Sequence, residues 1–215
     1  PAASREAGAL AAYPRCVSDA EGESKVRGES FSIRVLSQRW IDDDGGVTDP
    51  CSHGSLELVI GGVRLADGSE DYGISEAALA LLYTLDRDSS AEAPVAERLI
   101  PCGCGLILMT GCGRGIDWSV AHESGSVLLD DVVIYRSNDQ STAQRHPEVS
   151  VRVPLVRYRE QVLAFADQVR AFFRDAPPKD LHDEVIPGGY AWFWSEFDAA
   201  FARHVEVTDG GVNDR

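Results

Sequence analysis

Two thiols and an imidazole are the residues of this chain with the most chemistry to offer. Cys102 and Cys104 stand two apart in a glycine-flanked stretch, and His122 follows the glycine-rich turn Gly111-Cys112-Gly113-Arg114-Gly115. If an antiparallel ribbon turns near Gly113, facing residue numbers sum to about 226. That register puts Leu106 opposite Val120, Leu108 opposite Trp118 and Cys104 opposite His122, with Cys102 one strand period away on the same face. Thiolates and a neutral imidazole ligate Zn²⁺, so Cys102, Cys104 and His122 form one candidate metal set, and Cys51 or His53 from an acidic loop could supply a fourth ligand. The spacing lacks the paired C-x₂-C knuckles of a zinc signature. Cys112 is excluded from that set, because the extended residues between it and Cys104 span roughly 20 Å.

The same trio permits thiol chemistry, with His122 deprotonating Cys104 and Asp131 orienting the imidazole. No helix N-terminus follows Cys104 to lower its pKa. Inert thiols filling a sheet face are the commonest use of such cysteines, and that reading leads.

Other constellations carry less. Asp42, Asp43, Asp44 and Asp49 offer hard oxygens for Ca²⁺ or Mg²⁺, but no Glu closes an EF-hand pattern, so a solvated acidic loop is expected. Tyr190, Trp192 and Trp194 could stack on a sugar or base; aromatics at helical spacing more often clamp a helix to the body. The glycine run 111–115 lacks a Lys-Ser/Thr ending and precedes a strand, so it is not a phosphate loop. His146, His182 and His204 read as ordinary surface histidines.

Composition narrows the partners. The chain has 215 residues, with 20 Lys and Arg against 35 Asp and Glu and a net charge of −15. Such a field repels nucleic acid and anionic lipid. Residues 31–150 carry 19 acidic against 8 basic side chains, −11 of that total. An acidic sheet half suits a basic protein partner, which electrostatic steering would recruit. Five cysteines, an odd number in a chain this long, fit reduced thiols. With no signal-peptide pattern and no membrane-length apolar run, the sequence reads as cytoplasmic.

The elements that must position these groups follow from periodicity. Residues 1–30 hold no sustained period and read as a flexible arm, and 31–215 as one domain. Phe31, Ile33 and Val35 alternate with polar neighbours as a half-buried strand. Residues 41–54 are breaker-rich and read as loop. Leu56–Ile60 and Val63–Leu65 form a hairpin across Gly61-Gly62. Ser75 would cap a helix over 76–85, with Glu76 at its positive end. Residues 99–135 predict a three-stranded meander, 137–147 a loop and Val149–Val153 a strand. Pro154 opens an amphipathic helix striped by Tyr158, Val162, Phe165 and Val169, and Gly188-Gly189 opens an aromatic one. The expected fold is α+β, an antiparallel sheet of about five to seven strands with two or three helices packed on one face. The leading functional expectation is a non-enzymatic protein that engages a basic partner; the alternative is a zinc or thiol enzyme at the Cys-x-Cys/His site.

Overall fold

Among the described residues, sustained alternation of apolar and polar residues becomes strand; the alternating stretch 106–110 lies outside them. The computed structural model describes residues 30–41, 44–103, 112–181 and 188–209; the expected arm 1–30 lies almost wholly outside them. In β1 (Phe31–Val35), Phe31 and Ile33 are buried while Arg34 points out to Glu57. β1 pairs with β3 (Leu56–Ile60), after β2 (His53–Gly54), and β3 pairs with β4 (Val63–Asp67). Gly61 and Gly62 have φ of 61° and 80°, the left-handed pair a two-residue hairpin demands.

β5 (Tyr72–Gly73) pairs with β2 and runs into α1 (Ile74–Tyr83). A five-stranded antiparallel sheet is built from β6 (Ile100–Pro101), β7 (Gly115–Glu123), β8 (Ser126–Tyr135), β9 (Gln144–His146) and β10 (Val151–Pro154). Its order is β10-β8-β7-β6, with β9 also on β8. α2 (Leu155–Arg174) and α3 (Gly189–Asp209) complete the chain, so the fold is α+β with antiparallel sheets and three helices. Among the described residues no helix is long and apolar enough to cross a membrane.

α1 is buried on nearly every side, from Ile74 to Leu82 with Glu76 the exception. Such an all-round apolar helix belongs at the centre of a core, and α2 and α3 both pack on it. α2 turns its stripe of Tyr158, Val162, Phe165, Ala166 and Val169 inward. Trp194 of α3 packs on Phe173, Phe193 and Phe197, the helix clamp expected of it, whereas Trp192 stays exposed.

Several expectations shift. Gly73, not Ser75, is the N-cap of α1, because Ile74 N donates to Ser52 O and pins the preceding residues as strand. Residues 137–147 gain the edge strand β9, and β10 starts at Val151. His146 and His204 are buried, not superficial: His146 Nδ1 lies 2.9 Å from Glu148, and His204 Nε2 lies 3.2 Å from Asp86. His182 lies outside the described residues.

The register around β7 also differs. Ile100 faces Ile116 and Pro101 faces Gly115. At Gly115 (φ 147°) a Cβ would meet Ile100 O at 2.4 Å, so glycine alone allows this approach and the ladder locks there. Further along, Val120 exchanges backbone hydrogen bonds with Ser89 (2.8 and 2.9 Å), and His122 N donates to Asp88. The 88–89 segment therefore lies along the edge of β7 where Leu106 and Cys104 were expected; Leu106 and Cys104 themselves lie outside the described residues.

Two stability predictions arise in the fold. The Tyr158 hydroxyl is buried 2.7 Å from Thr84 Oγ1, which also donates to Leu81 O. Tyr158→Phe keeps the packing and removes one hydrogen bond, so urea denaturation should show a loss of about 1 kcal/mol. Asp117 on β7 has its carboxyl pushed up to about 6 by burial, against the opposing Leu99 amide and Arg98 charge. A carboxyl raised above its unfolded value binds its proton more tightly in the fold. Stability from this group is therefore highest below about pH 4 and falls as pH rises towards 6. Asp117→Asn should be more stable than the parent by about 1–3 kcal/mol at pH 7, with the gain vanishing near pH 4 in urea titrations at both values.

Candidate metal centre

The segment Asp49-Pro50-Cys51-Ser52-His53 bends at Cys51, whose amide donates to Asp49 Oδ1 at 3.0 Å, and leads into β2 at His53. His53 exchanges backbone hydrogen bonds with Arg39 at 2.8 and 2.9 Å and pairs with Gly73 across β5. Ser52 supports the segment from the other side: its amide donates to Ser75 Oγ, its carbonyl accepts from Ile74, and its hydroxyl accepts from Gln38. Asp49, Cys51 and His53 are thereby turned together, and one ligand atom from each lies within 4.8 Å of the others. They are 4%, 1% and 1% exposed.

Glu76 reaches the same place from the first turn of α1. Its Oε2 accepts from Ser75 Oγ at 2.9 Å, and its carboxylate accepts from the Cys51 thiol. A Cβ at Gly73 would stand 3.1 Å from Glu76 Oε2 and 3.4 Å from Cys102 O, so the bare glycine lets carboxylate and strand end converge. Cys102 bridges Tyr72 on that flank.

The electrostatics of the cluster are unfavourable for a protein on its own. Burial, reinforced by the Glu76 charge, pushes the Cys51 thiol up, and burial likewise pushes the Glu76 carboxyl up. Asp49 is also pushed up by burial, but hydrogen bonds from His53 (3.3 Å) and the amides of Ile41 and Cys51 outweigh it and hold the carboxyl low. Lys179 approaches from the C-terminal side, but its ammonium donates to the Gly46 and Asp49 carbonyls and lies 3.6 Å over the Trp40 ring. His53 Nδ1 and Glu76 Oε1 are buried without a hydrogen-bond partner. Each such orphan costs on the order of 1–3 kcal/mol.

A borderline divalent ion answers these deficits together. Zn²⁺ takes sulfur, nitrogen and oxygen donors at about 2.0–2.3 Å, which places tetrahedral ligand atoms roughly 3.3–3.8 Å apart. The donors here need to close by little more than an ångström. Bound zinc would keep the thiolate ionised, offset the carboxylate charge and occupy the imidazole lone pair. A thiol pushed up by burial is the reverse of an activated nucleophile, so Cys51 has no support as a catalytic thiol.

The residues expected to form the site are divided by the fold. Cys51 and His53, expected only as supplementary ligands, stand at its heart, and Cys102 borders it through Gly73. Cys104 lies outside the described residues. His122 lies elsewhere: its Nδ1 is 2.8 Å from Asp88 and its Nε2 3.3 Å from Leu85 O, beyond the C-terminal end of α1, whereas Glu76 is at the N-terminal end. A ten-residue helix separates these ends by about 15 Å. Asp49 was expected only among the hard-oxygen donors of the acidic loop, and Glu76 only as a charge at the head of a helix; neither was expected beside Cys51 and His53. The acidic loop is only partly solvated as expected, since Asp49 is buried and Asp44 accepts from Gly46, Val47 and Thr48 of its own turn. Comparison with protein-family models, curated proteins and solved structures finds no match, so function is read from these residues.

Proposed function

We propose that this chain is a zinc-binding protein in which Asp49, Cys51 and His53 hold the ion and Glu76 closes the fourth position. One observation carries the reading: three donors of different chemistry, nearly sealed from solvent, converge within 4.8 Å beside the orphaned His53 Nδ1. A site closed to water is of the structural class, and zinc in such sites contributes folding energy directly. Here it would tie the 39–53 segment to β5 and the head of α1. Full-length protein purified from metal-replete cells is expected to carry about one zinc per chain by elemental analysis, and chelation should lower its melting temperature. Protein without zinc, whose melting ignores both added zinc and chelator, would rule the reading out.

A second reading concerns the outer face of the five-stranded sheet. Asp117, Ser119 and Ala121 on β7 are only half-buried. Burial and the adjacent Asp131 charge both push the Asp130 carboxyl up, so like charges crowd on β8. A basic protein docking on that face would relieve the crowding. Capture of such a partner should weaken as salt rises from low to physiological levels; salt-insensitive capture would contradict an electrostatic interface.

A further inference from the structure

The outer face of the five-stranded sheet carries a pocket of about 340 Å³ where the β7–β8 register shifts between Asp117 and Ser119. Asp117 of β7 faces Val133 of β8, and Val133 in turn faces Arg145 of β9. Cross-strand partners share a face, so these three side chains stand in one row, the outer two about 10 Å apart between strands. All three line the pocket. At the shift β8 sets two residues against Trp118 alone, and Asp131 takes φ 51° there. A bulge of this kind re-aims a side chain, and Asp131 joins the pocket lining. Glu92 joins it from the segment that Ser89 pairs to β7.

The charges in this lining lack counter-charges. Asp117 accepts from the Leu99 amide at 3.3 Å, Asp131 from the Ser119 hydroxyl at 3.3 Å and Glu92 from the Ser90 hydroxyl at 3.0 Å. Among the described residues none of these carboxylates is in an ion pair, nor is exposed Arg145. Burial pushes the Asp117 carboxyl up to about 6 in spite of the Arg98 charge, whose guanidinium lies over the Tyr135 ring. The pocket thus presents three carboxylates and one guanidinium, with apolar Val133 between Asp117 and Arg145. Acid outnumbers base, which disfavours an anionic ligand, whereas a plain diamine would leave Arg145 without a partner.

We propose that this pocket binds a free basic α-amino acid of the lysine type, its carboxylate accepting from Arg145, its two ammonium groups donating to Glu92, Asp117 and Asp131, and its stem lying over Val133. Such a ligand carries one more positive charge than negative and an apolar middle, the complement of the lining. Its flexible four-carbon stem lets the two ends seek their partners, and the volume is in the range of small-molecule sites. This inference goes beyond the zinc reading and shares no residue with it. It gives the outer face a small ligand where the second reading gives it a protein.

The test titrates the full chain, by calorimetry at pH 7, with L-lysine and two analogues that each lack one end. L-Norleucine has no ε-ammonium, and cadaverine has no carboxylate. Lysine is expected to bind with a dissociation constant of about 1 mM or tighter. It should bind at least about tenfold more tightly than either analogue, the size of one charge-assisted hydrogen bond. Asp117→Asn combined with Asp131→Asn should cut the advantage over norleucine to about threefold or less; asparagine tolerates the left-handed conformation at residue 131. Arg145→Gln, on an exposed edge strand, should cut the advantage over cadaverine to the same degree and spare that over norleucine. Circular dichroism reports whether both variants are folded. No binding of lysine, equal affinity for all three probes, or discrimination that both folded variants leave intact would each overturn the inference. Capture of a basic protein without lysine binding sustains the second reading and overturns this one; lysine binding with no protein captured does the reverse.

Discussion

His53→Ala protein is expected to retain less than about a tenth of the zinc of the parent at equal free metal, because the substitution deletes the one nitrogen donor. The loss extends beyond the metal. Asp49 Oδ1, which accepts from the His53 ring at 3.3 Å and from the Cys51 amide at 3.0 Å, would lose its side-chain donor in a site only 4% exposed. Removing one member of a buried polar group leaves the others uncompensated, at a cost of about 2–4 kcal/mol. His53→Gln separates the two effects, since its amide can still donate to Asp49 but is a poor zinc ligand. It should recover part of the stability and little of the zinc. Chelator should lower the melting temperature of the parent and leave that of either variant unmoved, as thermal melts with and without chelator will report.

Phe165→Ala is expected to cost about 3–5 kcal/mol, a large share of the roughly 5–15 kcal/mol that holds a domain together. Phe165 is completely buried, midway along α2, on the stripe that packs this helix on α1, β1 and β8. Deleting its ring removes the transfer contribution and leaves a cavity that the flanking Val162 and Val169 are too short to fill. Urea denaturation of parent and variant checks the figure, and a loss below about 2 kcal/mol would show that the stripe is not the main anchor of α2.

Sustained periodicity made these elements legible in the sequence. Tyr158, Val162, Phe165 and Val169 recur at helical steps, and Phe31 and Ile33 alternate with polar neighbours; each pattern repeats often enough to outweigh local exceptions. The candidate metal centre was less legible because Asp49, Cys51 and His53 sit in a stretch rich in Asp, Gly and Pro. Residues 44–52 are indeed loop, and Asp49, Cys51 and His53 meet through a bend at Cys51 and the contacts of Ser52 and Arg39, which no sequence period announces. Glu76 was read for its favourable place near a helix N-terminus, and only the fold shows it folded back to Ser75 and Cys51. Of the expected Cys104–His122 pairing only His122 lies within the described residues, and on its strand Gly115 against Ile100 sets the ladder while Ser89 pairs with Val120. The buried state of His146 and His204 depended on Glu148 and on Asp86, and the latter lies far away in sequence.

Substitution with Co²⁺ tests the centre most directly, since the ion reports its own ligands. Metal-free full-length protein titrated with cobalt should reach one equivalent, with the intense visible bands of a four-coordinate ion and a thiolate-to-cobalt charge-transfer band in the near ultraviolet. Cys51→Ser should lose the charge-transfer band, and zinc should displace cobalt from the parent. Weak octahedral spectra alone, or a charge-transfer band that persists in Cys51→Ser, would place the metal elsewhere and contradict the Asp49, Cys51 and His53 site.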